Sequence, residues 1–215
     1  MHKPQKNTIL SIDDHSLFRK GVADLIDMDD NLELIGEAAN GPDGLSLAKR
    51  LTPDLILLDI NMKGMTGIET LKAIKQEEID SLILMLTISD HEEDVLMALR
   101  IGADGYLLKD MEPEEILESI RKAMQGKLVI SDHLTQLLAK ALRDEDNLVE
   151  HRSLSTLTRR EQEILEQIAK GMSNRSIAET LNIMEGTVKV HVKHLLKKLN
   201  LHSRTEAAVW ALRHL

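Results

Sequence analysis

Residues 55–59 read Leu-Ile-Leu-Leu-Asp, an unbroken apolar run that ends in a carboxylate. Apolar runs of this length are typical of strands that are buried on both faces of a sheet. Similar runs occur at residues 8–12, 34–38, 82–87 and 105–108, and stretches with apolar residues at helical spacing separate them. This alternation predicts an α/β domain in which helices cover both faces of a five-stranded parallel sheet.

Polar residues with related chemistry lie where these strands end. Asp13 and Asp14 follow the first run, Asp59 and Thr87 end the third and fourth, and Lys109 follows the fifth. Because the carboxyl ends of parallel strands line one edge of a sheet, we expect these side chains to converge. Neighbouring carboxylates need a cation to stay ionised, and such oxygen ligands suit Mg²⁺. With Lys109 and Thr87 available to hold a phosphoryl group, the pattern favours phosphoryl transfer to Asp59.

Charge is distributed unevenly along the chain. The net charge is -9, but residues 152–215 contain 11 Lys/Arg and 6 Asp/Glu, a net of +5, which leaves -14 for residues 1–151. An acidic part joined to a basic part suggests two domains with different partners.

The composition excludes several classes of function. The aromatic residues are Phe18, Tyr106 and Trp210, too few for binding single-stranded nucleic acid by base stacking. The absence of cysteine excludes disulfides and thiolate metal sites. No stretch reaches the ~20 apolar residues of a membrane helix, and the N-terminus lacks the apolar run of a signal peptide. We therefore expect a cytoplasmic protein without a membrane partner.

The remainder of the chain is helical in pattern. Residues 131–143 predict an amphipathic helix, and the polar residues 144–153 predict a tether. Thr158 with Glu161, and Ser203 with Glu206, predict capping boxes that open two further helices. Between them, residues 173–181 and 185–199 have the spacing of a helix-turn-helix, with Ser173 as the first cap.

One face of the helix predicted at 185–199 carries lysines. Lys189, Lys193 and Lys197 recur every four residues, Val190 lies beside them, and an apolar stripe occupies the adjacent face. Such a helix suits the major groove of duplex DNA, where lysines reach guanine edges or phosphates and a valine contacts a thymine methyl group.

Residues 7–128 resemble the receiver domain of two-component response regulators. The resemblance rests on Asp13-Asp14-His15, on residues 57–62, on Thr87 and on residues 102–110. It implies a flavodoxin-like fold with strand order 2-1-3-4-5. It also implies that a partner sensor histidine kinase phosphorylates Asp59.

The same resemblance assigns the surrounding residues. Asp14, Asp59 and the backbone carbonyl of Asn61 would bind Mg²⁺, and Asp13 would act mainly through a metal-bound water. Thr87 and Tyr106 would form a switch pair, in which the ring turns inward when Thr87 moves toward the phosphoryl group. The chain departs from many receivers at Met62-Lys63-Gly64, where they have Met-Pro-Gly. We expect this departure to change the lifetime of the phosphoryl group.

Residues 155–215 resemble the LuxR/FixJ-type DNA-binding domain. The resemblance rests on residues 157–161, on Ile177-Ala178 and on residues 187–194. It implies a four-helix domain in which the last helix, around residues 207–212, carries dimer contacts. The resemblance and the lysine pattern together predict five residues that contact DNA: Thr187, Lys189, Val190, Lys193 and Lys197.

The recognition helix departs from the family at its start. Met184 occupies a cap position that often holds Ser or Thr, and Gly186 follows in the first turn. A lost cap costs about 1 kcal/mol, and a helical glycine costs about another 1 kcal/mol relative to alanine. We expect this helix start to be frayed in the absence of DNA.

The two resemblances together place the chain in the NarL/FixJ class, nearest to its nitrate/nitrite regulators. Its divisions are then a receiver at 7–128, a linker helix and tether at 129–153, and a DNA-binding domain at 154–215. This class implies a transcriptional regulator rather than an enzyme, acting on nitrate- or nitrite-responsive genes of anaerobic respiration. The unphosphorylated receiver is expected to cover the recognition helix, and phosphorylation to allow binding to DNA as a homodimer.

Two other interpretations stay open at this point. The N-terminal part could be a Mg²⁺-dependent phosphatase with Asp59 as nucleophile, although Asn61 stands where such enzymes have an acidic proton donor. Alternatively, the helical C-terminal part could bind partner proteins instead of DNA.

Overall fold

The computed structural model describes residues 6–77, 79, 81–88, 92–127, 129–146 and 153–215. Its centre is a parallel sheet with the strand order β2-β1-β3-β4-β5, as predicted. The strands are β1 (Asn7–Ile12), β2 (Leu32–Ala38), β3 (Leu55–Asp59), β4 (Leu82–Thr87) and β5 (Gly105–Leu108). Three of them have the predicted bounds, and β1 and β2 begin one and two residues earlier than predicted.

Five helices connect and follow the strands. They are α1 (Ser16–Asp27), α2 (Gly41–Leu51), α3 (Gly67–Gln76), α4 (Glu92–Ile101) and α5 (Pro113–Met124). Pro113 occupies the first turn of α5, where its missing N–H group has no intrahelical partner to lose.

Alternate residues of each strand enter two apolar cores, one on each face of the sheet. On β3, Leu55 and Leu57 belong to the core beneath α1 and α5, whereas Ile56 and Leu58 belong to the core beneath α2, α3 and α4. All four side chains are completely buried. The unbroken apolar run in the sequence therefore reflects burial on both faces.

The chain continues as a second, all-helical part. It comprises α6 (Asp132–Asp146), a short 3₁₀ turn (Leu154–Thr156), α7 (Arg159–Ala169), α8 (Asn174–Leu181), α9 (Glu185–Lys198) and α10 (Arg204–His214). Of the predicted tether at 144–153, residues 144–146 belong to α6, and residues 147–152 lie outside the described part of the chain. Among the described helices, none combines the length and the apolar character that crossing a membrane requires.

The sequence signals for the helix ends are largely confirmed. Thr158 and Glu161 form the predicted capping box, and Ser173 accepts the amide of Ser176 at the start of α8. Ser203 likewise caps α10 through the amide of Glu206. The Glu206 carboxylate accepts the amide of His202 at 2.6 Å, however, so it reaches one residue further back than a capping box predicts.

Helix α10 is enclosed on all sides. Seven consecutive residues, 205–211, are buried, whereas a helix with a single packed face would bury only every third or fourth residue. It contacts α7 and α9 of the helical part, and it also contacts α6 and α4. One apolar core consequently extends from the sheet face beneath α2, α3 and α4, through α6, to the last four helices.

Candidate functional site

Two buried aspartates lie at the carboxyl edge of the sheet. Asp13 follows β1 and Asp59 ends β3, and both are fully buried. One oxygen of each is fixed by the loop that follows: Asp13 Oδ1 accepts the amide of His15 at 2.8 Å, and Asp59 Oδ1 accepts the amide of Asn61 at 3.1 Å. Asp14 lies beside them and is partly exposed. The predicted convergence of carboxylates is thus present.

Lys109 joins this cluster from the end of β5. Its ammonium lies 2.7 Å from Asp13 Oδ2 and 3.0 Å from Asp59 Oδ2, and it is 5.0 Å from the centre of the Phe18 ring. The side chain is only 6% exposed. A buried ammonium with two carboxylate partners provides a fixed positive charge next to Asp59, where a phosphoryl group would need it.

Competing effects act on the Asp59 carboxyl. Burial raises its pKa, the hydrogen bond from Lys109 opposes that effect, and the neighbouring charge of Asp13 raises the pKa further, so that the net shift is upward. The cluster therefore holds more negative charge than Lys109 alone balances.

The donor set fits a hard divalent cation. Asp13 Oδ2 and Asp59 Oδ2 are buried oxygens whose partner is the Lys109 ammonium. Asp14 Oδ1 is also buried and faces only the His15 ring, at 3.0 Å. A cavity beside them is lined by Asp14 and by residues 60–63, which include Asn61. Carboxylate and carbonyl oxygens next to an open cavity suit a cation such as Mg²⁺, which keeps part of its water shell.

Thr87 and Tyr106 lie on adjacent strands. Thr87 pairs with Leu108 and Met85 pairs with Tyr106, so Thr87 and Tyr106 face the same side of the sheet two positions apart. Both side chains are buried, and the tyrosine ring is therefore already inside the protein in this structure. The amide of Tyr106 donates to the carbonyl of Val129 at 2.8 Å, which ties β5 to the segment that leads into α6.

Gly67, at the start of α3, holds the backbone of Asp59 in place. A Cβ atom at this position would lie 2.0 Å from the carbonyl oxygen of Asp59, so only glycine permits this approach. The preceding Thr66 forms a capping box with Glu69. Gly67 was not among the site residues predicted from the sequence. The available signal was a glycine immediately after a good cap residue, where the helix itself does not require one.

The segment Met62-Lys63-Gly64 borders the cluster. The amide of Lys63 donates to Asp14 Oδ2 at 3.2 Å, a bond that proline at this position could not make. Gly64 has a φ of 78° and open space around its α-carbon. The departure from Met-Pro-Gly thus adds a hydrogen bond to one of the carboxylates as well as a positive charge.

Helices α8 and α9 form the predicted helix-turn-helix, and Asn182 makes the turn with a φ of 51°. Val188, Leu195 and Leu199 are buried beneath α9 as predicted, and Val192 is half-buried. The five residues expected to contact DNA are all exposed: Thr187, Lys189, Val190, Lys193 and Lys197. Lys189 lies 3.6 Å from Glu185, one helical turn earlier.

The start of α9 has the departures that the sequence indicates. Met184 is the cap residue, makes no side-chain cap bond and is 79% exposed. Gly186 has open space around its α-carbon, so no packing contact requires a glycine there.

The helical part docks on the amino edge of the sheet, opposite the carboxylates. Thr205 Oγ1 lies 3.4 Å from the carbonyl oxygens of both Ala103 and Asp104, in the loop before β5. On the other side of the contact, a Cβ atom on Gly126 would lie 2.3 Å from the α-carbon of Ser173. The sequence analysis did not predict these contacts.

Arg204 is half-buried where the two domains meet. Its guanidinium donates to Asn174 Oδ1 at 3.0 Å and to the carbonyl of Met172. Burial lowers its pKa to about 10, against the opposing charge of Asp104, and the group stays positive at neutral pH. Asp104 in turn accepts the amide of Ile83 at 2.9 Å and contacts Lys75 at 3.3 Å.

These contacts correct the expected mode of inhibition. The surface of the helical part that packs against the sheet domain is α10 with the start of α8, rather than the lysine face of α9. Lys189 and Val192 line one side of a cleft between the two parts, and Lys75 and Asp104 line the other. Val190 remains 53% exposed. The apolar surface of α10 packs against α4 and α6, and α9 faces the sheet domain only across this cleft.

Two protein families match the chain, one in each part. The family described as "Response regulator receiver domain" matches residues 9–121. The family described as "Bacterial regulatory proteins, luxR family" matches residues 155–211.

Curated relatives match along nearly the whole chain. It is 51% identical over 210 residues to the nitrate/nitrite response regulator protein NarL of Escherichia coli (strain K12), covering 98% of this chain and 97% of that protein. It is 44% identical over 201 residues to NarP of the same organism, with coverages of 94% and 92%. The crystal structure of the response regulator ChrA, from a heme-sensing two-component system, is 31% identical with a TM-score of 0.51 and covers 97% of this chain and 96% of that one. The chain therefore belongs to the NarL/FixJ family of response regulators, in which a receiver domain is followed by a LuxR-type DNA-binding domain.

Proposed function

We propose that a sensor histidine kinase phosphorylates this protein on Asp59, and that phosphorylation enables a homodimer to bind duplex DNA and regulate transcription. The observation that carries the proposal is the buried Asp59 carboxylate beside Lys109, in the same chain as an exposed lysine face on a helix-turn-helix. The receiver spans residues 7–128, the linker helix and tether 129–153, and the DNA-binding domain 154–215. Such a regulator would act in the cytoplasm, together with the chromosome.

Phosphoryl transfer needs positioning and charge stabilisation more than covalent chemistry from the protein. A P–O bond forms to the Asp59 carboxylate as the P–N bond of the kinase phosphohistidine breaks. Lys109 neutralises the phosphoryl oxygens, and Thr87 donates its hydroxyl to one of them. Asp14, Asp59 and the Asn61 carbonyl would hold Mg²⁺, with Asp13 acting through water. When bound, Mg²⁺ supplies further positive charge for the phosphoryl oxygens.

The switch would act through β5. Movement of Thr87 toward the phosphoryl group changes the space beside Tyr106, which lies diagonally across the strand pair. Because the Tyr106 amide is bonded to Val129, a shift of β5 reaches the segment before α6. Helix α6 packs against both α4 and α10. This movement therefore weakens the contacts that hold the DNA-binding domain against the receiver.

Release of the domain would expose two surfaces. Helix α10 becomes available for dimer contacts, and the side of α9 that lines the cleft opens to the major groove. Lys189, Val190 and Lys193 then contact bases. Thr187 and Lys197, at the two ends of this face, contact the neighbouring phosphates. Two such helices in a dimer would read paired half-sites.

The similarity to nitrate/nitrite regulators suggests the biological signal. We propose that the genes under control respond to nitrate or nitrite, because the two Escherichia coli relatives are named nitrate/nitrite response regulators. From the family resemblance we further propose that these genes serve anaerobic respiration. The similarity extends through both domains. It therefore supports this assignment more strongly than a similarity confined to the receiver would.

Footprinting tests the proposal. A binding site is first selected from a random duplex library with acetyl-phosphate-treated protein in Mg²⁺, and full-length protein is then footprinted on it with and without phosphorylation. We expect at least about tenfold tighter binding after phosphorylation, in the usual range of allosteric coupling. Asp59→Asn should show no such gain. Binding by Asp59→Asn as tight as that of phosphorylated wild type would refute the proposal.

An enzymatic role for the receiver is the second candidate. Asn61 cannot transfer a proton, which disfavours a phosphatase that uses Asp59 as nucleophile. A single stable phosphoryl group per chain supports the regulator, whereas repeated turnover of a small phosphate ester would support the phosphatase.

A further inference from the structure

His15 turns its ring toward the acidic cluster instead of capping a helix. It is the residue before α1, in the cap position, and its side chain makes no cap bond. Its Nδ1 atom lies 3.0 Å from Asp14 Oδ1, 3.3 Å from Asp13 Oδ1 and 3.7 Å from Asp59 Oδ2. One imidazole nitrogen therefore faces three carboxylates.

The cap position makes this choice of residue informative. Ser, Thr, Asp and Asn are the side chains that satisfy the first amides of a helix. Six other helices of the described chain have such a cap: Asn40, Thr66, Ser131, Thr158, Ser173 and Ser203. At α1 the chain has a histidine whose backbone amide is anchored on Asp13, which fixes the position of the ring.

The 3.0 Å separation of Nδ1 and Asp14 Oδ1 is that of adjacent ligands of one ion. An octahedral cation with bonds of about 2.1 Å has neighbouring ligand atoms about 3.0 Å apart. Nδ1 and the nearest oxygens of Asp13, Asp14 and Asp59 all lie within 4.8 Å of one another. Lys109 contacts the Oδ2 atoms of Asp13 and Asp59, whereas Nδ1 is closest to the Oδ1 atoms of Asp13 and Asp14. Asp14 Oδ1 is buried and makes no hydrogen bond.

We propose that His15 Nδ1 is a ligand of the divalent cation in the receiver, and that it makes the site prefer a first-row transition ion such as Mn²⁺ to Mg²⁺. Mg²⁺ takes oxygen ligands and loses water reluctantly, so an imidazole adds little to its binding. First-row transition ions accept imidazole readily, and a nitrogen ligand raises their affinity selectively. The inference rests on the proposed function, which requires a divalent cation at Asp14 and Asp59.

Pulsed electron paramagnetic resonance of Mn²⁺ reports the ligand directly. Full-length protein is loaded with less than one equivalent of Mn²⁺, and coupling to a ¹⁴N nucleus is measured. We expect histidine coupling in the wild type and in His194→Gln, a matched control on the exposed side of α9. His15→Gln should bind Mn²⁺ without the coupling. His15→Asn should behave in the same way, and its side chain can also cap α1, so it guards against a folding defect.

Calorimetric titrations give the selectivity. We expect loss of the imidazole to reduce the preference for Mn²⁺ over Mg²⁺ by about tenfold, the low end of the effect of lost supporting groups at metal sites. Mn²⁺ bound to wild type without ¹⁴N coupling, together with an unchanged preference in both His15 variants, would overturn the inference and leave the phosphorylation site intact. Failure of the wild type to bind either ion would instead overturn the proposed function.

Discussion

Asp104 and Lys109 stand at opposite ends of β5 and contact different domains. The Asp104 carbonyl lies 3.4 Å from Thr205 of the DNA-binding domain, and the Lys109 ammonium lies 3.0 Å from Asp59. Five residues at ~3.3 Å per residue place the two positions about 17 Å apart. A single short strand, which includes Tyr106, therefore connects the carboxylate cluster to the contact between the receiver and the DNA-binding domain.

Gly126→Ala is expected to weaken the contact between the two domains. The new Cβ atom would lie 2.3 Å from Ser173, so the two domains cannot keep their contact. Small-angle scattering of the unphosphorylated protein should show a larger radius of gyration. Gly64→Ala is the matched control, because its φ of 78° imposes the same backbone strain as the 79° of Gly126 while open space surrounds it. Equal radii for the two variants would show that the Gly126 contact does not hold the domains together.

Lys63→Pro is expected to lengthen the life of the phosphoryl group about two- to fivefold, the effect of stiffening a loop by ~0.4–1 kcal/mol. It removes the amide that donates to Asp14 Oδ2 and also the nearby positive charge. Lys63→Ala removes the charge but keeps the amide, and thereby separates the two effects. The measurement is loss of ³²P from protein labelled with acetyl phosphate. An unaltered rate in Lys63→Pro would mean that this segment does not control hydrolysis.

Gly186→Ala is expected to stabilise the start of the recognition helix by about 1 kcal/mol, and Met184→Thr by a similar amount through a new cap. No neighbour opposes a Cβ atom at Gly186. Hydrogen exchange of the amides at 186–188 should slow in both variants. Gly67→Ala provides the contrast, since its Cβ atom would collide with the Asp59 carbonyl and destabilise the receiver. Strong protection at 186–188 already in the wild type would contradict the expectation of a frayed start.

The ion pair between Glu161 and Lys198 predicts an acid-sensitive DNA-binding domain. Burial would raise the pKa of Glu161, but the bonds from Lys198 and Thr158 outweigh it and hold the pKa below 4.5. A lowered pKa contributes stability above the ordinary value, and this contribution is lost as the pH falls through the lowered one. Stability measured by urea unfolding should therefore decline below pH 4.5.

Lys198→Met tests the origin of that decline. It should cost about 1–3 kcal/mol at pH 7, because a buried carboxylate loses a partner at 2.7 Å, and it should flatten the dependence on acid. Arg159→Met is the control, since Arg159 is 94% exposed and its pairing with Glu163 contributes little. The same decline in both variants would rule out Glu161 as its source.

Sequence alone was sufficient for the carboxylate cluster. Asp13, Asp59 and Lys109 converge because each follows a buried strand, and strand order in a parallel sheet brings those ends together. The helix starts at Thr158 and Ser173 could also be predicted from the sequence, because a cap depends on residues only three positions apart.

The docking of the two domains could not be predicted in this way. Its contacts involve Ala103, Gly126 and Thr205, small residues whose role depends on partners 47 to 102 positions away in the chain. Net charge was a poor guide, since it indicated the lysine face of α9 while the buried helix is α10. The contacts of the His15 ring with three carboxylates could not be predicted either, because the positions of Asp14 and Asp59 relative to that ring depend on the folded sheet.

The enclosure of α10 also sets the sensitivity of the whole regulator. If the domains are docked 99% of the time at rest, inverting that ratio requires the phosphoryl group to favour the open form by about 5.5 kcal/mol. Weakening the hydrophobic contact between α10 and α4 would lower this threshold, and strengthening it would raise the threshold. Under the proposed function, the same helix would determine both the basal expression of the regulated genes and the kinase activity at which they respond.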